Sequence, residues 1–210
     1  TNANTEYYIV FYNNEGSGFV ASDFNLVAEE KEPEIPIPTD PNKEIVKPEN
    51  WDSPWRLQGA VVSITAATES KDGGAGIKVD KSNWRDTFAV VTLDANKEYT
   101  LSFNYKGVSA LNKVWVYDKA DIDLEGYKAA NGKYPDSISL AVKSGASSLG
   151  EIYTANLGTY DGNNWVNVTV NFNTTENKEY YIVLNHGANS GFTAADFNLV
   201  AEEKEPEIPV

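Results

Sequence analysis

From Tyr99 to Lys106 apolar and polar residues alternate without a break. Tyr99, Leu101, Phe103 and Tyr105 fall on one side, and Thr100, Ser102, Asn104 and Lys106 on the other. A period of two is the mark of a strand with one face buried and one wet. The run just before it, 87–93, is apolar almost throughout, and Asp94-Ala95-Asn96 between the two is a turn. The same grammar recurs along the chain and predicts strands at 60–65, 76–79, 87–93, 99–106, 113–117, 137–143, 166–172, 179–184 and 196–200. Turn-forming clusters separate them at 72–74, 94–96, 161–164 and 173–177. One connection is longer, 118–136, and within it 121–130 has the make-up of a single short helix. It is either a functional loop at a rim or decoration. Regular strands on hairpin-scale connections predict an all-β fold, an antiparallel β-sandwich of jelly-roll type.

The pattern also repeats on a longer scale. Glu6–Val10 (EYYIV) recurs as Glu179–Val183, Gly18-Phe19 as Gly191-Phe192, and Asp23–Pro36 recurs unchanged as Asp196–Pro209, always 173 residues apart. This reads as the end of one module, a linker and the whole of the next, in a parent protein built as a tandem array. Residues 1–27 are then the last two strands of a preceding repeat, 28–48 a linker, 49–201 a complete module and 202–210 the start of the next linker. The linker alternates proline with acidic residues, which favours an extended, self-repelling spacer. The strands in 1–27 lack their sheet neighbours and present unpaired edges. They are expected to pair with a sheet edge of their own chain or to exchange with a neighbouring chain or repeat.

Charge narrows the list of partners. Against 17 Lys and Arg stand 31 Asp and Glu, a net charge of −14 that repels phosphate backbones and anionic membrane surfaces. Nucleic acid is excluded as an expected partner, and no apolar run reaches the roughly 20 residues of a membrane helix. There is no cysteine, hence no disulfide and no thiolate chemistry.

A glycine-rich loop before a short strand (DGGAGIKV, 72–79) leads to Leu93-x-x-x-Lys97-x-Tyr99-Thr-Leu-Ser-Phe103. Further on come Trp165-x-x-Val168-x-Val-x-Phe172 and the final Asp196-Phe-Asn-Leu-Val200. Over 51–201 this resembles the β-sandwich carbohydrate-binding modules of the family 4, 9 and 22 type. The resemblance implies a non-catalytic module that attaches a secreted or bacterial cell-surface protein to a polysaccharide or oligosaccharide. It also implies a structural calcium ion between the glycine-rich loop and the last strand, with Asp72 and Asp196 as candidate ligands. The opening segment of such modules is replaced here by Trp51-Asp-Ser-Pro-Trp55, which weakens any carry-over of calcium ligands from that end. The other reading is a structural or adhesive repeat of a surface protein with no glycan ligand.

Candidate ligand contacts follow from strand parity. If Val114 and Val116 face the core, Trp115 and Tyr117 share the opposite face with Lys113 and offer rings on which a pyranose stacks. The alternative inverts the strand and sends both rings inward. Asn104 and Lys106 point outward on the neighbouring run and, were the two strands adjacent, would flank Trp115 as hydroxyl-reading groups. Trp84, beside Arg85 and Asp86, is a further rim contact. Trp51 and Trp55 are expected to cap the core and Trp165 to be structural. His186, the single histidine, has no partners that make a catalytic case, and Asn13 takes its place in the upstream copy. No pair of carboxylates is singled out for hydrolysis, so no enzyme is expected.

Overall fold

The computed structural model describes residues 41–80, 86–186 and 191–203, all within one unit, 36–210. Trp84, the strand pair in 1–27 with its expected exchange, and most of the linker lie outside the described residues.

Among the described residues ten strands are arranged in two antiparallel sheets of five. In chain order they are β1 (Trp51–Asp52), β2 (Ile64–Ala66), β3 (Gly76–Val79), β4 (Asp86–Leu93), β5 (Lys97–Gly107), β6 (Leu111–Asp118), β7 (Gly150–Tyr153), β8 (Val166–Asn173), β9 (Lys178–His186) and β10 (Phe192–Glu203). One sheet runs β1-β4-β9-β6-β7 and the other β2-β3-β10-β5-β8. This is the all-β sandwich expected from the alternation.

Among the described strands only β2–β3 and β6–β7 join neighbours in the same sheet and the other connections cross between sheets, which corrects the expectation of hairpins throughout. β4 and β5 lie in opposite sheets, as do β5 and β6, β8 and β9, and β9 and β10. Asn96, at φ 55°, makes the sharp turn after β4, but the chain leaving it crosses the core. Period two specifies which face is buried and is silent on which strand lies alongside. The repeated segment therefore supplies the central strand of each sheet, β9 and β10.

The interior is filled from both sheets. Leu101, Phe103 and Tyr105 of β5 meet Val114 and Val116 of β6, Ile182 and Leu184 of β9, and Phe197 and Leu199 of β10. Phe197 stacks between Trp51 and Phe103 at 5.6 and 5.0 Å between ring centroids. Trp51 is fully buried and donates its indole N–H to the carbonyl of Ile45 at 2.7 Å. Ile45 ends a helical turn, α1 (Pro41–Ile45), that packs on the sandwich, and Asn42 in it bonds the Leu199 carbonyl at 2.8 Å. The last part of the predicted spacer is thus built into the module. Ile45 and Val46, side by side among prolines and charged residues, give no periodicity from which that contact follows.

Two further differences concern the β6–β7 connection. Residues 137–143, expected as a strand, instead form a 3-10 turn at Ile138–Ala141. Ile138 and Ala141 are three apart and both buried, the spacing of a helical turn rather than of a strand. After α1 and a single turn α2 (Pro54–Leu57), the expected short helix is present as α3 (Leu124–Asn131), capped by Asp123 and ended by Gly132 at φ 75°.

Candidate functional site

Parity of β6 places the aromatic face. Val114 and Val116 are wholly buried in the sandwich core, and Trp115 and Tyr117 point out of the other side of the sheet. That face carries aligned rows across the sheet. Asp52, Phe88, Val183, Trp115 and Glu151 are register partners from β1 to β7, and Tyr181 pairs with Tyr117 beside them.

The face is not wet, which corrects the picture of an open platform. Trp115 and Tyr117 are 9% and 7% exposed because the β6–β7 connection folds back over them. Ile122, Ile138 and Ala141 of that connection form a second apolar cluster with Phe88, Trp115, Tyr117, Tyr181 and Val183. The connection is tied to itself by Asp123 N–H to the Ala141 carbonyl (2.8 Å) and Lys143 N–H to the Asp121 carbonyl (2.9 Å).

One buried carboxylate holds the cover to the sheet. Asp86, fully enclosed at the start of β4, accepts from the Ser137 hydroxyl at 2.8 Å and from the Ile138 N–H, and on its other oxygen from the Asn185 amide of β9. The connection covers one part of the face and leaves a groove along the other. The groove, of about 350 Å³, runs between 119–125 and the β1–β4–β9 side and is lined by Phe88, Tyr181, Ile122 and Leu124, with Asp52, Asp123, Glu125 and Lys119 at its edges.

Tyr181 is the informative residue in it. It is 7% exposed, packs edge-on to Phe88 at 5.1 Å, and its hydroxyl makes no hydrogen bond with the protein among the described residues. The hydroxyl is not one of the buried unpartnered polar atoms among the described residues, so it is open to water or to a ligand in the groove. Burial, then the negative charges of Glu179 and Asp52, push its pKa up, so the hydroxyl stays protonated and can both donate and accept. The carboxylates at the rim are each steadied through one oxygen. Asp52 Oδ1 accepts from Ser53 N–H, Asp123 Oδ1 from Gly126 N–H, and Glu125 Oε1 from the Tyr134 hydroxyl, and among the described residues each second oxygen accepts no hydrogen bond. Lys119 is paired with Glu179 at 2.6 Å.

At the β7 edge Lys113 lies between two rings, 5.2 Å from Trp115 and 4.2 Å from Tyr153, and pairs with Glu151 at 2.9 Å. Tyr153 is exposed.

Asn104 and Lys106 do not flank Trp115, because β5 and β6 belong to different sheets. Lys106 sits on the outer face of the second sheet, paired with Glu69 and 5.1 Å over the Trp165 ring. Asn104 is buried beneath the glycine-rich loop and donates to Asp72 at 2.7 Å and to Asp196 at 2.9 Å.

Asp196 occupies a bulge in β10 at φ 59°, and its carboxylate accepts from the N–H groups of Lys71, Asp72 and Gly74 as well as from Asn104. Burial would raise its pKa, but the Asn104 amide and the three backbone N–H groups outweigh it and hold the carboxyl below its ordinary value. Four N–H donors converge on these oxygens. Calcium needs some six to eight oxygen ligands instead. The Asp72–Asp196 pair therefore does not fit the ion suggested by the resemblance. Among the described residues no group of three or more His, Cys, Asp or Glu is placed to hold a metal.

Sequence reading missed Phe88 and Tyr181. The signal was in Glu179–Val183, where Tyr180 and Ile182 face the core and Tyr181 and Val183 the outer face, but an unbroken apolar run conceals its own parity.

No protein-family model matches the chain, and no curated protein matches it. Solved structures do. The chain is similar to a family 4 carbohydrate-binding module at 15% identity, with 69% of this chain and 79% of that chain covered and a TM-score of 0.41. It is similar to a family 61 module in complex with β-1,4-galactotriose at 13% identity, covering 78% and 96%, with a TM-score of 0.42. A third is the family 22 module and catalytic module of Clostridium thermocellum xylanase 10B with xylohexaose, at 13% identity, 75% and 27% coverage and a TM-score of 0.44. The likeness is one of fold.

Proposed function

We propose that this chain is a non-catalytic carbohydrate-binding module that attaches a secreted or cell-surface protein to a polysaccharide. The sugar site in this reading is the groove at Phe88 and Tyr181, not an open Trp115–Tyr117 platform. The observation that carries it is the groove's wall of Phe88, Tyr181, Ile122 and Leu124, an aromatic and aliphatic surface on which Tyr181 keeps a hydroxyl that no described residue occupies. A pyranose offers the complementary surface, a C–H face for the apolar wall and hydroxyls that both give and take hydrogen bonds at its rim. The groove volume of about 350 Å³ lies within the roughly 300–1,000 Å³ range of small-ligand sites. Trp115 and Tyr117 then support the floor from beneath the cover. Asp123, as cap of α3, and Glu125, as acceptor for Tyr134, are committed to positioning, which is why no hydrolytic pair is assigned.

Titration calorimetry with neutral polysaccharides and their hexaoses tests the reading, with Tyr181→Phe as the control. Saturable binding to at least one glycan is expected, weakened about fivefold by loss of one hydrogen bond in the variant. A flat response across the panel, or binding indifferent to Tyr181→Phe, would leave a structural repeat as the better account.

A further inference from the structure

The glycine-rich loop, which the resemblance ties to the last strand through calcium, already has a tie of its own. We propose that the Asp196 carboxylate takes the place of that ion by closing residues 71–74 onto the second sheet, and that the fold of this module is independent of calcium. The inference goes beyond the carbohydrate reading and stands whether or not the groove takes a sugar.

Local geometry builds the tie from both sides. Between Ala195 and Asn198 β10 gains a residue on β5, a bulge that holds Asp196 at φ 59°. Aspartate is among the few residues other than glycine that tolerate this left-handed conformation. The loop comes close enough to meet it. Asp196 N–H donates to the Ala75 carbonyl at 3.0 Å, and Gly74 passes so near that a Cβ on it would lie 2.8 Å from Asp196 Oδ1. Gly74 N–H donates to that Oδ1 at 2.7 Å, and Lys71 and Asp72 N–H donate to Oδ2 at 3.0 and 3.1 Å.

The donor set is that of an anion site. Backbone N–H groups converging within a loop make a concavity that attracts negative charge and repels a cation. Here the anion belongs to the chain itself, and each bond to it is charge-assisted. Asn104 decides what remains, because an amide is able to offer a cation its oxygen. It is 3% exposed and gives its N–H groups to the two carboxylates, to Asp72 Oδ2 at 2.7 Å and Asp196 Oδ2 at 2.9 Å. Its own oxygen accepts from the Asn167 amide at 3.4 Å. One neutral amide thus bridges the two negative groups that a divalent ion would otherwise have to reconcile. To seat calcium, that amide would have to turn over and forfeit all three bonds. The loop would also have to withdraw its N–H groups from lone pairs the ion needs.

Thermal melting and amide hydrogen exchange test this on the wild type and on Asp196→Asn, at matched ionic strength. Each protein is measured in excess EDTA and in about 10 mM calcium chloride, above the roughly 10⁻⁴–10⁻³ M affinities of extracellular calcium sites. Asparagine tolerates the same backbone conformation, so the variant removes the charge and one acceptor without straining the bulge. Support is a wild-type melting temperature equal in the two buffers to within about 1 °C, with the variant melting about 5 °C lower in both. In the variant the amides of Lys71, Asp72 and Gly74 should exchange about tenfold faster. A saturable rise of the wild-type melting temperature in calcium overturns the inference, whether or not the variant shares it. That arm is read on the wild type alone, so it decides even if the variant fails to fold. Exchange at 71–74 that is the same in the variant as in the wild type overturns the inference too, because the carboxylate then holds nothing.

Discussion

Replacing Asp86 with alanine should release the cover from the sheet. The carboxylate is fully buried and accepts hydrogen bonds from Ser137 and Ile138 of the cover and from Asn185 of β9. Those donors are themselves at most 9% exposed. A buried donor left without an acceptor costs about 1–3 kcal/mol. Ser137 and Asn185 are able to turn toward water in part, whereas the Ile138 N–H is fixed by its backbone. Removing the charge also removes the cost of having buried it, which offsets some of the loss. The net is about 3 kcal/mol, at the lower edge of what breaking a buried ionic contact costs. The loss should fall first on 119–149 rather than on the sheets, because the sandwich core does not include the cover. Hydrogen exchange at the Ile138 amide should speed up well before global unfolding, with tryptophan emission shifting to the red as Trp115 is uncovered. Asp86→Asn, which keeps one oxygen acceptor, should lose about half as much. A loss below about 1 kcal/mol in urea unfolding, with Ile138 still protected as in the wild type, would refute this account of how the cover is held.

Acid should act through Asp196. Its folded pKa lies below the ordinary value, so at low pH the unfolded chain takes up the proton first and stability rises with pH. The contribution is complete above about pH 4 and is lost as pH falls through the folded value. Melting temperatures between pH 5 and pH 2 should therefore decline less steeply in Asp196→Asn than in the wild type. Gly76→Ala should cost about 1–3 kcal/mol in urea unfolding, since a Cβ there would press on the backbone of Ala194 and Ala195 in β10. Tyr153→Ala should be nearly silent. Its ring is exposed and contributes little beyond the contact with Lys113 at 4.2 Å, worth under about 1 kcal/mol, and it lies on β7, apart from the groove, so sugar affinity should not change.

How far the fold was legible depended on how one-sided each strand is. β5 alternates strictly, and its inward set, Tyr99, Leu101, Phe103 and Tyr105, is the buried set. β8 does the same from Val166 to Asn173. What was not legible is pairing. The turn at 94–96 looks like a hairpin because a tight turn joining two strands has the same residues whether it returns within a sheet or crosses to the other one. β7 escaped notice because four residues at an edge, Gly150–Tyr153, carry too short a pattern to distinguish from loop.

The site shows a different limit. Parity of β6 was correctly divided between valines and aromatic rings, yet the inference from outward to wet failed. A sheet has two faces, and the alternation within a strand reports only that they differ. Whether the second face meets water depends on residues far along the chain, here Ile122, Ile138 and Ala141. Those three sit at spacings that belong to neither strand nor long helix, so no period announces them. They become apolar cover only because Asp86, from another strand, fixes where Ile138 lies. The consequence is chemical as well as architectural. An open row of Trp115 and Tyr117 would stack on any sugar, whereas a half-covered face exposes one flank of the groove to Tyr181 and the other to the carboxylates at the start of α3. The connection that hides the expected platform thus also builds one wall of the groove that remains.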